Sequence, residues 1–580
     1  MLCCLRFPFR LIKACLITAM GGSLLAWAEP ALEERGFPDI RAFTPRDYQG
    51  HNQIWTAQQG PDGIMYFGAK AEVITFDGIA WRKIPVPGSA FLRAMDIDAA
   101  GTVWVAGVDE LGKLEPGADG RLEFVSLRPE LPDGVTELGD IRRIFVMPDG
   151  VYFQGDAYLL RWQNAQFDVW PMFEPYVTLA IKWGNRLVVS GTNGWRIPTE
   201  PGEWEPFPGN QDVHAFTLAT EILPAKQGGW WITATRHGLL HADGKSIESV
   251  TGVVADYLKQ NRLYGATALP DGRLLLFTLG SGLIVTDPEL NPLVNLGTDE
   301  GLPSGTVICA TSTGNGVVWL GTEQGIVRLD FSAGITSFSD VNGLDPGGAE
   351  IVERINGRAF LATTTGAVSL TPGPDALSNP VFQPGFEIDD RLSVFYPLED
   401  GSTLAGGLMR MWRIAPGGEV TSLHSPSNIG QTLVHPSFPD HVFSLHLTGI
   451  ALWRRDGTKW TNHRSLAAPR GEFQSLVVDD AGDLWLGSAT GSVWRLPYSE
   501  IEPGTNLWDS PDPAPIAYGS SHGLPPRGER MRIRCIDGDP LFMTPYGFFR
   551  YDRAGDRFEP EPRYGANFVN GTWSDRKSVV

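Results

Sequence analysis

A glycine recurs at residues 194, 238, 282, 325, 366, 407, 449 and 491, at intervals of 44, 44, 43, 41, 41, 42 and 42 residues. Short apolar segments precede these glycines, among them Val188-Val189-Ser190-Gly191-Thr192, Trp231-Ile232-Thr233-Ala234-Thr235, Phe360-Leu361-Ala362-Thr363-Thr364 and Trp485-Leu486-Gly487-Ser488-Ala489. A period of roughly 40 to 45 residues built from short strands marks the blades of a β-propeller. The clearest copy is Gly301 to Asp330, in which three short strands are joined by glycine-bearing turns. Three such strands cannot bury both faces alone, so the unit requires neighbours. Looser copies at Tyr66-Phe67-Gly68, Trp104-Val105-Ala106-Gly107, Tyr152-Phe153-Gln154-Gly155 and Leu541-Phe542-Met543-Thr544 bring the count to about twelve blades.

Closed propellers commonly hold about four to eight blades. Twelve blades therefore predict two rings, an all-β chain of tandem β-propellers with four-stranded blades. The boundary is expected at 296/297, where the regular repeats begin. This gives an N-terminal propeller over 29–296, a C-terminal one over 297–560 and a tail over 561–580. Glu29 to Gly50 reads as a non-repetitive lead-in. Asp109 to Pro132 and Asn164 to Pro175 read as long connections, which in propellers gather on one face, often a binding face.

Residues 1–28 read as a secretory signal. Arg6, Arg10 and Lys13 precede a short apolar core, and Ala26-Trp27-Ala28 fits a cleavage site after Ala28. The expected location is periplasmic or extracytoplasmic. Loss of that signal takes the net charge from −20 to −23. So acidic a chain disfavours nucleic acid and anionic lipid as partners. Of five cysteines only Cys309 and Cys535 remain, which is no disulfide framework; both are expected to be buried thiols. The last six residues, Asp575 to Val580, can be encoded by a common sequencing adapter. They are read as non-native, and the chain as truncated.

The string D-x-x-G-x-[LV]-W-[LI]-G-[TS] stands at Asp479 to Ser488, and its second half at Trp319-Leu320-Gly321-Thr322. A Gly-Leu-Pro linker stands at Gly301-Leu302-Pro303 and Gly523-Leu524-Pro525. Together these resemble the two-component regulator propeller repeat. That resemblance implies the extracytoplasmic sensor of a bacterial signalling receptor, often a pair of propellers ahead of a membrane helix and an output domain. It also implies a ligand, here an unknown small molecule or saccharide, and a possible homodimer. The membrane would be reached only through a following C-terminal segment.

The candidate ligand residues sit in turns and at ring mouths. His51, Asn52 and Gln53 offer hydrogen bonds beside Trp55 at the first blade, although turn chemistry explains them equally. Asn193, Trp195 and Arg196 form a second group: the indole can stack on a sugar and the guanidinium can hold a carboxylate. Packing between blades is the competing explanation for Trp195. Glu323 and Gln324 stand in the turn ahead of Gly325. Thr322, Thr364 and Ser488 read as backbone-bonding scaffold. His435, His441 and His446 lack the spacing of a metal site. Arg527, Arg530, Arg532 and Arg534 form a basic stripe. No H-E-x-x-H, phosphate loop or C-x-x-C occurs. No catalytic residue, metal or cofactor is therefore assigned. The rival readings are a free-standing periplasmic binding or scaffold protein and a propeller enzyme such as a polysaccharide lyase, glycosidase or quinoprotein.

Overall fold

The computed structural model describes residues 34–564, apart from 176, 208–218, 227, 244–245, 345–348, 426, 447–448, 457–458, 461–463, 467–471 and 527–529. The expected signal segment, the tail beyond 564 and Arg527 lie outside the described residues. Among the described residues the chain forms twelve antiparallel sheets, eleven of four strands and one of five. It divides into two compact units, and the main break falls at Val341/Asn342.

The first unit holds seven blades. Their innermost strands are Thr56–Gln59, Leu92–Ile97, Arg143–Met147, Leu179–Trp183, Ala219–Pro224, Leu263–Ala268 and Val307–Ser312. They pack side by side in that order, and the last packs against the first, so the ring is closed. The seventh blade takes three strands from Gly301 to Asp330 and its outermost strand, Asp39–Phe43, from the start of the described chain. Asp39 pairs with Asp330 and Phe43 with Ile326. Phe43 is buried, stacks on Trp319 at 5.8 Å and meets Trp81 edge-on at 5.1 Å. Burying such a ring stabilises by about 1.5–3 kcal/mol, enough to anchor a lone strand.

The lead-in is part of a blade. The boundary at 296/297 falls one blade too early, because the unit of 301–330 completes its sheet with residues 39–43. Asp109 to Pro132 is not all connection, since it contains strands Glu110–Pro116 and Leu122–Ser126. Likewise Asn164 to Pro175 contains Gln166–Pro171.

The second unit holds five blades, with innermost strands Ala349–Ile355, Val394–Pro397, Ile429–His435, Phe473–Val478 and Arg532–Ile536 packed in succession. The recurring aspartate explains itself here. Asp479 accepts from Asp483 N at 2.9 Å through one oxygen and from Trp485 Nε1 at 2.7 Å through the other. Asp98 does the same for Thr102 N and Trp104 Nε1 in the second blade of the first unit. One carboxylate thus closes the turn and fixes the indole of the following strand.

The hydroxyls ahead of the recurring glycine bond backbone, as expected. Thr278, Thr322, Thr363 and Thr544 donate to the carbonyls of Gly282, Gly325, Gly366 and Gly547 at 2.9–3.0 Å. In the eighth blade the position is Thr363, not Thr364. Ser488 instead accepts from Ser492 N at 2.9 Å.

The three histidines are buried, and His435 packs against the next blade. His435 ends a strand rather than lying in a loop, and its Nε2 meets the Gly482 carbonyl at 2.7 Å. His446 Nε2 meets Ser444 Oγ at 2.7 Å, and His441 is buried. Cys309 is half-buried and Cys535 exposed, so neither is the fully buried thiol expected.

Candidate functional site

The innermost strands of the first unit enclose a channel of about 600 Å³. Its wall is shaped by one local irregularity repeated around the ring. In the second, fifth, sixth and seventh blades the innermost strand slips register at its second residue: Arg93, Thr220, Tyr264 and Ile308. A bulge re-aims a side chain out of the regular alternation. All four of these residues line the channel.

At the Trp55 side the guanidinium of Arg93 lies 3.7 Å over the indole ring, and its Nε is 3.4 Å from Asp140 Oδ1. Asp140 is presented by the loop joining the second and third blades. Asp109 fixes that loop, its Oδ1 accepting from Leu138 N at 3.2 Å and Gly139 N at 2.9 Å. Arg128 adds Nη1 to the Asp109 carbonyl at 2.8 Å and Nη2 to the Thr136 carbonyl at 3.2 Å. Arg142 pairs with Asp156 at 3.0 Å and Asp140 at 3.5 Å. Arg143 reaches from the third blade to the fifth, donating to Glu221 Oε1 and to the Thr220 carbonyl, both at 3.3 Å.

Four buried polar atoms in this wall have no hydrogen-bond partner within the chain: Trp55 Nε1, Arg93 Nε, Asp140 Oδ1 and Thr178 Oγ1. The Arg93–Asp140 contact is Coulombic, without a hydrogen bond's alignment. Buried polar groups are costly when unpaired, by about 1–3 kcal/mol each. Trp55 Nε1 and Thr178 Oγ1 have no hydrogen bond, Arg93 and Asp140 share an ion pair without one, and their gathering at one cavity makes it the candidate site.

The channel also perturbs its acids. Burial inside the ring pushes the Glu221 carboxyl above its ordinary range, against the pull of Arg143. Its accessible part faces the narrow channel rather than open solvent, so burial prevails. Burial likewise raises Asp96, although Val146 N at 2.7 Å and Ile97 N at 2.9 Å donate to it. Burial pushes the Cys309 thiol up to about 12.

The residues expected to bind ligand fall in three places. Trp55 lines the channel. His51, four residues before it, accepts from Gln53 N at 3.2 Å through Nδ1, and Tyr48 donates to its carbonyl at 3.1 Å. His51 therefore shapes the turn, with Asn52 exposed beside it. Trp195 is fully buried between the fourth and fifth blades and offers no surface. Arg196 lies over Phe173 at 4.6 Å. Asn193 is exposed and donates its N–H to Glu174 at 2.8 Å. Glu323 and Gln324 are exposed in their turn, with Gln324 N bonded to Thr322 Oγ1 at 3.1 Å. Sequence reasoning missed Arg93, Asp140, Arg142, Arg143, Thr178 and Glu221. The available signal was a charge inside an apolar strand, as in Leu92-Arg93-Ala94-Met95 and Ala219-Thr220-Glu221-Ile222.

No protein-family model matches the chain. No curated protein matches it either. Solved structures do. The extracellular domain assigned to a hybrid two-component system, BT3049 of B. thetaiotaomicron, superposes with a TM-score of 0.67 at 13% identity, over 91% of this chain and 73% of that one. A second extracellular domain from that organism, BT4673, gives a TM-score of 0.41 at 14% identity over 91% and 78%. Virginiamycin B lyase from Staphylococcus aureus gives 0.39 at 12% identity over 50% and 99%. At these identities the likeness is one of fold, and the first carries it across both units. Among the described residues no helix is long and apolar enough to cross a membrane.

Proposed function

We propose that this chain is the extracytoplasmic ligand-sensing region of a bacterial signal-transduction receptor, and that the channel of its seven-bladed ring is the ligand site. The observation that carries the site is the gathering at one cavity of four buried polar atoms that make no hydrogen bond within the chain. The receptor role is supported by the propeller-repeat resemblance and by the shared fold with an extracellular domain assigned to a two-component system. In this reading a membrane helix and output domain belong to the same gene, and sequencing the genomic locus past the codon for Ser574 tests that part.

The wall offers both donors and an acceptor, with an indole beside them. Such a site suits a small polar molecule bearing hydroxyls, a saccharide among them. Occupancy transmits a signal only if the ligand favours one arrangement of the protein over another.

A thermal-shift screen of neutral mono- and disaccharides tests the site. A binder should raise Tm, and Trp55→Ala and Thr178→Val should each weaken it about tenfold by removing one partner. A binder indifferent to both changes would place the site elsewhere.

A further inference from the structure

Of the three channel arginines, two are firmly placed. Arg142 is held by Asp156 at 3.0 Å, and Arg93 is stacked on Trp55. Arg143 is held differently. It crosses from the third blade to the fifth and makes two hydrogen bonds, each from a different nitrogen and each 3.3 Å long. A guanidinium fork is best matched by two oxygens of one carboxylate at about 2.7–2.9 Å. Glu221 supplies one oxygen at longer range, and both side chains keep a third or more of their surface open to the channel.

We propose that Arg143 anchors a carboxylate subsite: a small organic monoanion enters the channel and takes Arg143 from Glu221. This rests on the reading of the channel as a ligand site and adds the charge of the ligand.

The charges around the cavity support a single negative charge. Arg93, Arg142 and Arg143 line the channel with Asp96, Asp140 and Glu221, which is a balanced set, and Asp156 stands behind Arg142. A ligand carboxylate adds one negative charge. Glu221 can absorb it by taking a proton from solvent, because burial already disfavours its charged form. The charged and titratable groups that share the cavity with Glu221 are Arg93 and Asp96 from the second blade, Asp140 from the loop after it, Arg142 and Arg143 at the third blade, Tyr264 from the adjoining sixth and Cys309 from the seventh. The fourth blade brings only Thr178, Leu179 and Ile181. Asp96, the other acid with a raised range, is tied to two backbone N–H groups and is not displaced. A dianion such as phosphate would bring a second charge toward Asp140 with no second acid to neutralise.

Titration calorimetry with D-glucuronate and D-glucose tests this, since the two differ at one carbon, a carboxylate against a hydroxymethyl. Glucuronate should bind about tenfold or more tightly than glucose, the margin of a charge-assisted bond. Its affinity should rise between about pH 7.5 and pH 5.5, with proton uptake visible as a dependence of the heat on the buffer. Arg143→Gln should cost about tenfold. Glu221→Gln should tighten binding at pH 7.5 and remove the pH dependence, a gain that misfolding cannot produce. Equal binding of the two sugars, weaker binding in Glu221→Gln, or no glucuronate heat at all would overturn the carboxylate subsite. Glucose binding that is lost in Trp55→Ala would keep the channel as the ligand site while removing this subsite.

Discussion

Asp479 shows how much one side chain can carry in a repeat. It closes a turn, holds the indole of Trp485 and receives Arg553 Nη2 at 2.7 Å from the next blade. Trp485 is fully buried. Asp479→Ala would leave its N–H unpaired and strand Arg553, whose remaining partner is Asp483 at 2.8 Å. We expect a loss of about 2 kcal/mol, most of it from the unsatisfied buried donor, since Arg553 is 44% exposed and its ion pair adds little. Asp98→Ala should cost about half as much, because Asp98 is only half-buried and its bond to Trp104 is 3.2 Å. Urea unfolding of the two variants checks the ranking, and equal losses would contradict this account of the motif. The aspartate, glycine and tryptophan of the motif were legible because their contacts are local. The channel residues were not. A charge within a strand does not disclose which way it points until a bulge is known, as at Arg93. Trp195 misled for the opposite reason: alternation along the strand sends it into the core while Arg196 turns to the other face.

At the scale of the element, the strand Asp39–Phe43 decides how the first ring closes. Its partner lies nearly three hundred residues away in sequence, so no local pattern marks it as a blade strand. The three strands of Gly301 to Asp330 call for neighbouring blades and say nothing of a fourth strand drawn from residues 39–43. Gly325 is where this closure constrains the sequence most tightly. Its φ is +132°, and a Cβ there would stand 2.3 Å from the Phe43 carbonyl oxygen. Gly325→Ala would therefore strain the backbone and push the N-terminal strand away, costing about 2 kcal/mol or more. Hydrogen exchange should show the amides of residues 39–43 losing protection, while the innermost strands of the same ring keep theirs. Unchanged protection of 39–43 would mean that the strand is held by Phe43 alone.

For the whole molecule, twelve blades in two units were readable from the glycine period, whereas the division into seven and five was not. The period counts blades but is blind to which end of the chain completes a ring. Stability against acid belongs to this scale, since it sums carboxylates from both units. Asp330 is held down to about 2, first by Ser332 and then, against burial, by Arg328. Asp77 is likewise held down to about 2 by the N–H groups of Ala80 and Ile79. Burial would raise Asp483, but Ser499 and Arg553 outweigh it; Ser378 lowers Asp375 and Tyr551 lowers Asp556. A carboxyl held down in the fold contributes stability that is complete above its unfolded range and is lost as pH falls through its folded one. Glu221 and Asp96 act in the opposite sense, gaining stability on protonation, but they are outnumbered. Below the carboxylate range the chain also keeps the charge of 47 lysines and arginines and 10 histidines without its acids, and the compact state repels itself. Tm should therefore vary little between about pH 7 and 5 and then fall steeply between about pH 4 and 2. Asp330→Asn should flatten part of that fall while lowering Tm at pH 7. A Tm that held constant down to pH 2 would show that these carboxylates are no better stabilised in the fold than in the unfolded chain.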